Sequence, residues 1–158
     1  MQPKIVKMDK RYIVGLFGDR GKQEEISKRF DELYNQTPFE KTDTHKCYIY
    51  LWSDGTNAPK KGKDYFTGFE SDCVSSRDIF DTFVIPACEW AIFEVNPAKW
   101  WKSGDEKVEG WIKNNEVYSW GEYDGAVFQL EYYKEKFSGS ENPSSLMEVW
   151  YPLERRGE

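Results

Sequence analysis

Residues 85–95 read Ile85-Pro86-Ala87-Cys88-Glu89-Trp90-Ala91-Ile92-Phe93-Glu94-Val95, and the fold is decided by what kind of element this run is and which elements come after it. Its apolar and aromatic residues over eight positions after Pro86 predict a strand over 88–95. Downstream, a region with Trp101, Val108, Trp111 and Ile112 reads as a helix, and then AVFQLEYY (126–133) and LMEVWY (146–151) read as two strands joined by the turn-rich loop 138–145. Upstream the same order occurs. Ile5-Val6 and YIVGLF (12–17) read as a strand pair or one bent long strand. Residues 22–35 carry Ile26, Phe30, Leu33 and Tyr34 at helical spacing, and KCYIYLW (46–52) and 65–70 are strands around a turn-rich loop, 53–59.

Strand, helix, strand, strand therefore occurs twice. A shift of about 80 residues lays Tyr12 on Trp90, Tyr50 on Glu131, Trp52 on Tyr133 and Phe69 on Trp150, which predicts pseudo-repeats over about 1–75 and 80–158 within one domain, 1–158. The expected fold class is α+β: one antiparallel sheet, two helices on one face, and a ligand groove at the pseudo-twofold axis.

Composition bounds the function. The chain has 158 residues, 39% hydrophobic and 32% charged, with an aromatic share of 17% from 7 Trp, 10 Tyr and 10 Phe. A net charge of -6 disfavours direct nucleic-acid binding, which needs a basic face. There is no signal-peptide pattern and no run of roughly 18 apolar residues, so no membrane association is expected and the compartment is taken as the cytoplasm. Cys47, Cys73 and Cys88 lack paired spacing and His45 is the single histidine, so neither a metal nor another cofactor is expected.

Alternate residues of a strand share a face. If the more apolar set of each strand packs under helices, the other set collects Tyr48, Tyr50, Trp52, Trp90, Ile92, Tyr133 and Trp150 with Glu131 and Glu148 on the opposite face. We take these nine as candidate ligand-binding residues. Rings attract a cation by about 0.5–2 kcal/mol each, and a carboxylate among them sets the charge preference. Such a box suits hydrophobic, often cationic, small molecules. The competing reading is a second core with the glutamates turned to water. Gly15, Gly18 and Gly21 fit neither phosphate-binding pattern and read as a turn into the helix. His45 with Cys47 or Cys88 lacks an orienting group for thiol catalysis. Glu131 and Glu148 as a glycosidase pair is disfavoured by the small domain.

Ile85-Pro86-Ala87-Cys88 with Trp90, Ala91 and Phe93, then Glu131 and Tyr133, and finally Glu148-Val149-Trp150-Tyr151-Pro152 carry a resemblance. Across nearly the whole chain they resemble the gyrase-inhibitor-like small-molecule-binding domain, also met as the effector-binding domain of AraC-type and MerR-type multidrug regulators. Cys88 stands where that family commonly has glycine. The resemblance implies a duplicated α+β fold, a groove between the halves and an acid in it, which we carry to Glu131. No helix-turn-helix precedes the first helix, so a stand-alone binder is expected, with a blocked protein partner as a further possibility. Some stand-alone relatives hydrolyse cyclopropane-bearing natural products. In that alternative Glu131 and Tyr133 would be catalytic, as acid or base and its hydrogen-bond partner.

Overall fold

The computed structural model describes residues 2–53, 58–103, 106–123 and 125–157. In chain order the elements are β1 (Lys4–Met8), β2 (Arg11–Gly18), a 3-10 turn (Arg20–Lys22), α1 (Gln23–Gln36), β3 (Cys47–Trp52), β4 (Tyr65–Ser71), β5 (Asp81–Ile85), β6 (Cys88–Val95), α2 (Pro97–Ser103), α3 (Glu106–Lys113), β7 (Tyr118–Trp120), β8 (Glu122–Tyr123), β9 (Ala126–Tyr132) and β10 (Met147–Arg155). Part of the turn-rich loop 53–59 lies outside the described residues.

The strands form one antiparallel sheet in the order β1-β6-β10-β9-β3-β4-β2-β5, with β7 on the end of β10 and β8 on β9. The halves meet where β3 pairs with β9, Tyr48 opposite Glu131 and Tyr50 opposite Gln129. On either side the orders β3-β4-β2 and β9-β10-β6 mirror each other, which is the duplication. The two leading strands are exchanged between the halves: β1 pairs with β6, and β5 pairs with β2. The fold is thus the expected α+β class, with the sheet curled into a half-barrel.

The curl is measurable. Phe83 on β5 and Phe128 on β9 are four strands apart, about 19 Å in a flat sheet, yet their ring centroids are 5.3 Å apart. The concave face closes on a core of Ile13, Ile49, Phe66, Trp90, Leu130 and their neighbours. Curling this tightly needs bare backbone at one crossing. Gly15 and Gly68 face each other across β2 and β4, and a Cβ on Gly15 would lie 1.8 Å from the Thr67 carbonyl oxygen.

Both helical layers lie on the convex face. Asp19 accepts from the Gly21 amide at 2.7 Å to start the turn into α1, Glu24 and Glu25 suit the positive end of its dipole, and Pro38 disfavours helix at Thr37. Phe30 then seats on Val14, Leu16 and Phe80. In the second half Asn96 caps α2, its Oδ1 accepting from the Lys99 amide at 3.2 Å with Pro97 in the first turn. Val108 and Ile112 of α3 pack with Ala91, Phe93, Val149 and Tyr151. Neither layer covers the central strands β3 and β9.

That arrangement corrects the expected sidedness. The groove is on the helix-bearing face, between α1 and α2–α3. The rule that the apolar set lies under helices holds for β6 and β10, which are covered, and inverts for β3 and β9, which are not. Cys47, Ile49, Leu51, Phe128, Leu130 and Tyr132 point into the concave core instead. The suggested superposition is corrected in part. Tyr50 and Glu131 share the helix-bearing face, as do Trp52 and Tyr133, whereas Tyr12 and Phe69 lie opposite in sense to Trp90 and Trp150.

Candidate functional site

Tyr50 and Trp52 on β3, with Gln129 and Glu131 on β9, floor a cleft of about 580 Å³. Arg20 and Gln23 wall it from the α1 side, and Trp100, Trp101 and Glu109 from the other. The adjacent Trp100 and Trp101 cannot share a helix face. Trp100 is buried against the sheet and Trp101 is 53% exposed at the mouth. A second lobe of about 480 Å³ runs along α1, lined by Tyr48, Tyr65 and Tyr133, and joins the first at Gln23 and Tyr50.

Glu131 is the chemical centre, and it is only 5% exposed. Oε2 accepts from Trp100 Nε1 at 3.1 Å and from Gln129 Nε2 at 3.0 Å, and Oε1 accepts from the Tyr133 hydroxyl at 3.1 Å. Gln129 is itself oriented by the Tyr151 hydroxyl, which donates to its Oε1 at 2.6 Å. Burial raises the Glu131 pKa above the ordinary carboxyl value and outweighs these three hydrogen bonds, which act to lower it. Burial first, and the Glu131 charge second, push the Tyr50 and Tyr133 phenols up, so both stay protonated donors. Three donors occupy three of the carboxylate's roughly four lone-pair positions. The remaining one is available to a cation or a water.

Of the nine predicted residues, Tyr48, Tyr50, Trp52, Glu131 and Tyr133 line the two lobes. Trp90, Ile92, Glu148 and Trp150 do not share their face, because strand register turns all four to the concave side. There the two tryptophans flank a cation supplied by the chain. The Arg11 guanidinium carbon lies 5.1 Å from the Trp90 ring and 5.0 Å from the Trp150 ring. Arg11 Nη2 donates to Glu70 at 2.7 Å and to the Tyr132 hydroxyl at 2.6 Å. Glu148 accepts from Trp150 Nε1 at 2.9 Å, with Lys134 at 3.5 Å.

Sequence reasoning missed Arg20, Gln23, Gln129 and Glu109. Gln129 alternates with Glu131 and was legible by the same periodicity; the others reach the cleft only through helix placement. His45 sits between Asp43, 2.9 Å away, and Glu135, 3.2 Å away. Burial pushes the Cys47 thiol up to about 12 and the Cys88 thiol up to about 11, so neither is a ready thiolate. Among the described residues no cluster of three or more His, Cys, Asp or Glu could hold a metal, and no helix is long and apolar enough to cross a membrane.

No protein-family profile and no curated protein matches the sequence. Solved structures do. SAV2435 bound to tetraphenylphosphonium aligns with a TM-score of 0.62 at 15% identity, over 98% of this chain and 94% of that one. The EcmrR C-terminal domain aligns at 0.60 and 17% identity, over 97% of each chain. A putative bacterial transcription regulation protein from Staphylococcus aureus MU50 aligns at 0.55 and 15% identity, over 98% of this chain and 99% of that one. With the mirrored half-sheets and the cleft between two helical layers, these likenesses establish that the chain has the gyrase-inhibitor-like fold.

Proposed function

We propose that the chain binds bulky hydrophobic organic cations in the cleft between α1 and α2–α3. The carrying observation is Glu131, a buried carboxyl among Tyr50, Trp52 and Trp100 that spends three hydrogen bonds and keeps one acceptor position. A buried acid costs stability unless it is matched, and an entering cation matches it. The volume falls within the roughly 300–1,000 Å³ common for small-molecule sites. Arg20 and Glu109 on the rim carry opposite charges, so Glu131 gives the lining its surplus negative charge and sets the sign of the preferred ligand. The structure of SAV2435 with tetraphenylphosphonium supports this reading and supplies the probe.

Titration of the protein with tetraphenylphosphonium, and with tetraphenylmethane derivatives of the same shape but no charge, tests it. Saturable binding that favours the cation is expected; equal affinity for the neutral series refutes it. A second reading, hydrolysis of cyclopropane-bearing compounds, draws on the same carboxyl, whose raised pKa beside the Tyr133 hydroxyl suits proton transfer. A product one water heavier than an incubated cyclopropane substrate would support it, and binding with no mass change would reject it.

A further inference from the structure

The geometry points to a second, sugar-accepting lobe, so that the ligands for which this cleft is shaped are aromatic cations bearing a glycosyl substituent. This rests on the cation reading of the first lobe and deepens it. The two lobes differ in chemistry. Around Glu131 the aromatic walls are mainly indoles, Trp52, Trp100 and Trp101, which serve the cation. Along α1 the sheet side is walled by phenols, Tyr48, Tyr50, Tyr65 and Tyr133, and α1 places the Ser27 hydroxyl against that of Tyr65.

Phenols offer a ring face to the C–H side of a saturated ring and a hydroxyl to its polar edge, and they lose little conformational entropy in doing so. Tyr65 and Ser27 hold each other at 2.7 Å, and Tyr50 donates to Gln23 Oε1 at 3.1 Å, so the lobe is rigid before anything enters. Among the described residues the Tyr48 hydroxyl makes no hydrogen bond, which leaves a donor and acceptor for a ligand. A purely apolar extension here would desolvate the Tyr48 hydroxyl without giving it a partner. An anion is disfavoured as well. Lys46 is held by Asp31 at 2.6 Å, and Lys28 on the lining is balanced by Glu24, so the lobe carries no surplus positive charge. A neutral, hydroxylated group fits. The shared waist at Gln23 and Tyr50 lets one molecule occupy both lobes.

The test is calorimetric titration with two isoquinolinium cations that differ only in one methoxy or one glucosyloxy group. The glucoside should bind about tenfold more tightly, the yield of one to two net hydrogen bonds. Tyr48→Phe should bring that ratio close to one, with Ser27→Ala as a second variant in the same direction, while Glu131→Gln should weaken both compounds and keep the ratio. Glu131-dependent binding of the methoxy compound with a ratio of one or below in the native protein overturns the sugar lobe and leaves the cation site standing. If neither cation binds, both readings fall.

Discussion

Replacing Glu131 by Gln isolates one charge in an otherwise preserved site. The amide is isosteric: its carbonyl can keep accepting from Trp100 Nε1 and Gln129 Nε2, and its NH2 can donate to the Tyr133 oxygen, since a hydroxyl both gives and accepts. What is lost is the charge. A cation about 4 Å from the carboxylate gains about 4 kcal/mol at an effective dielectric near 20, before desolvation. Solvent at the cleft mouth and Arg20 on its rim reduce this, and we expect about 1–2 kcal/mol, a loss of about 5- to 30-fold in tetraphenylphosphonium affinity. Neutral compounds of the same shape should change less than about twofold. The pH dependence adds a second readout. Because burial raises the Glu131 pKa, cation affinity of the native protein should fall as pH drops through that raised value, whereas the Glu131→Gln variant should be flat.

Stability runs the other way. A carboxyl whose folded pKa lies above its unfolded one contributes stability that is fully present below the unfolded value and is lost as pH rises through the folded value. Gln mimics the protonated form, so the variant should gain melting temperature relative to the native protein as pH increases through that window. Isothermal titration and thermal melts from acid to mildly alkaline pH measure both. Equal losses for cationic and neutral ligands, or a variant whose relative stability falls with rising pH, would refute the reasoning.

Arg11→Met should destabilise the protein by about 3 kcal/mol, because it strands Glu70 and the Tyr132 hydroxyl beside Trp90 and Trp150; urea unfolding measures this, and a cost under about 1 kcal/mol would show the buried arginine to be dispensable. Gly15→Ala should cost about 3 kcal/mol or prevent folding, since its methyl would meet the Thr67 carbonyl; a native-like unfolding midpoint counts against the close strand crossing. Ligand quenching of tryptophan emission should come from Trp52, Trp100 and Trp101. Trp52→Phe should reduce it, while Trp90→Phe and Trp150→Phe, on the concave side, should not.

Much of this architecture was legible in the sequence. The helical spacing of Ile26, Phe30, Leu33 and Tyr34 yields α1, and the runs at 46–52, 88–95 and 126–133 yield β3, β6 and β9 within a residue. The short β7 and β8 were not legible, because Tyr118–Trp120 and Glu122–Tyr123 become strands only by pairing with the ends of β10 and β9. The strand over 146–151 extends to Arg155 for the same reason.

The residues alone determined that strand, helix, strand, strand would occur twice, and that Tyr48, Tyr50 and Trp52 would share one side of a strand and Glu131 and Tyr133 one side of another. These are local consequences of a two-residue period and a 3.6-residue period. Tertiary structure decided which side is inside. With the sheet curled, both of its faces are dry somewhere, so apolarity no longer tells a helix-covered side from a self-covered one. For that reason Trp90 and Trp150, which resemble a ligand clamp in sequence, close on Arg11, and Glu131 opens onto a cleft over the central strip of the helix-bearing face, between α1 and α2–α3.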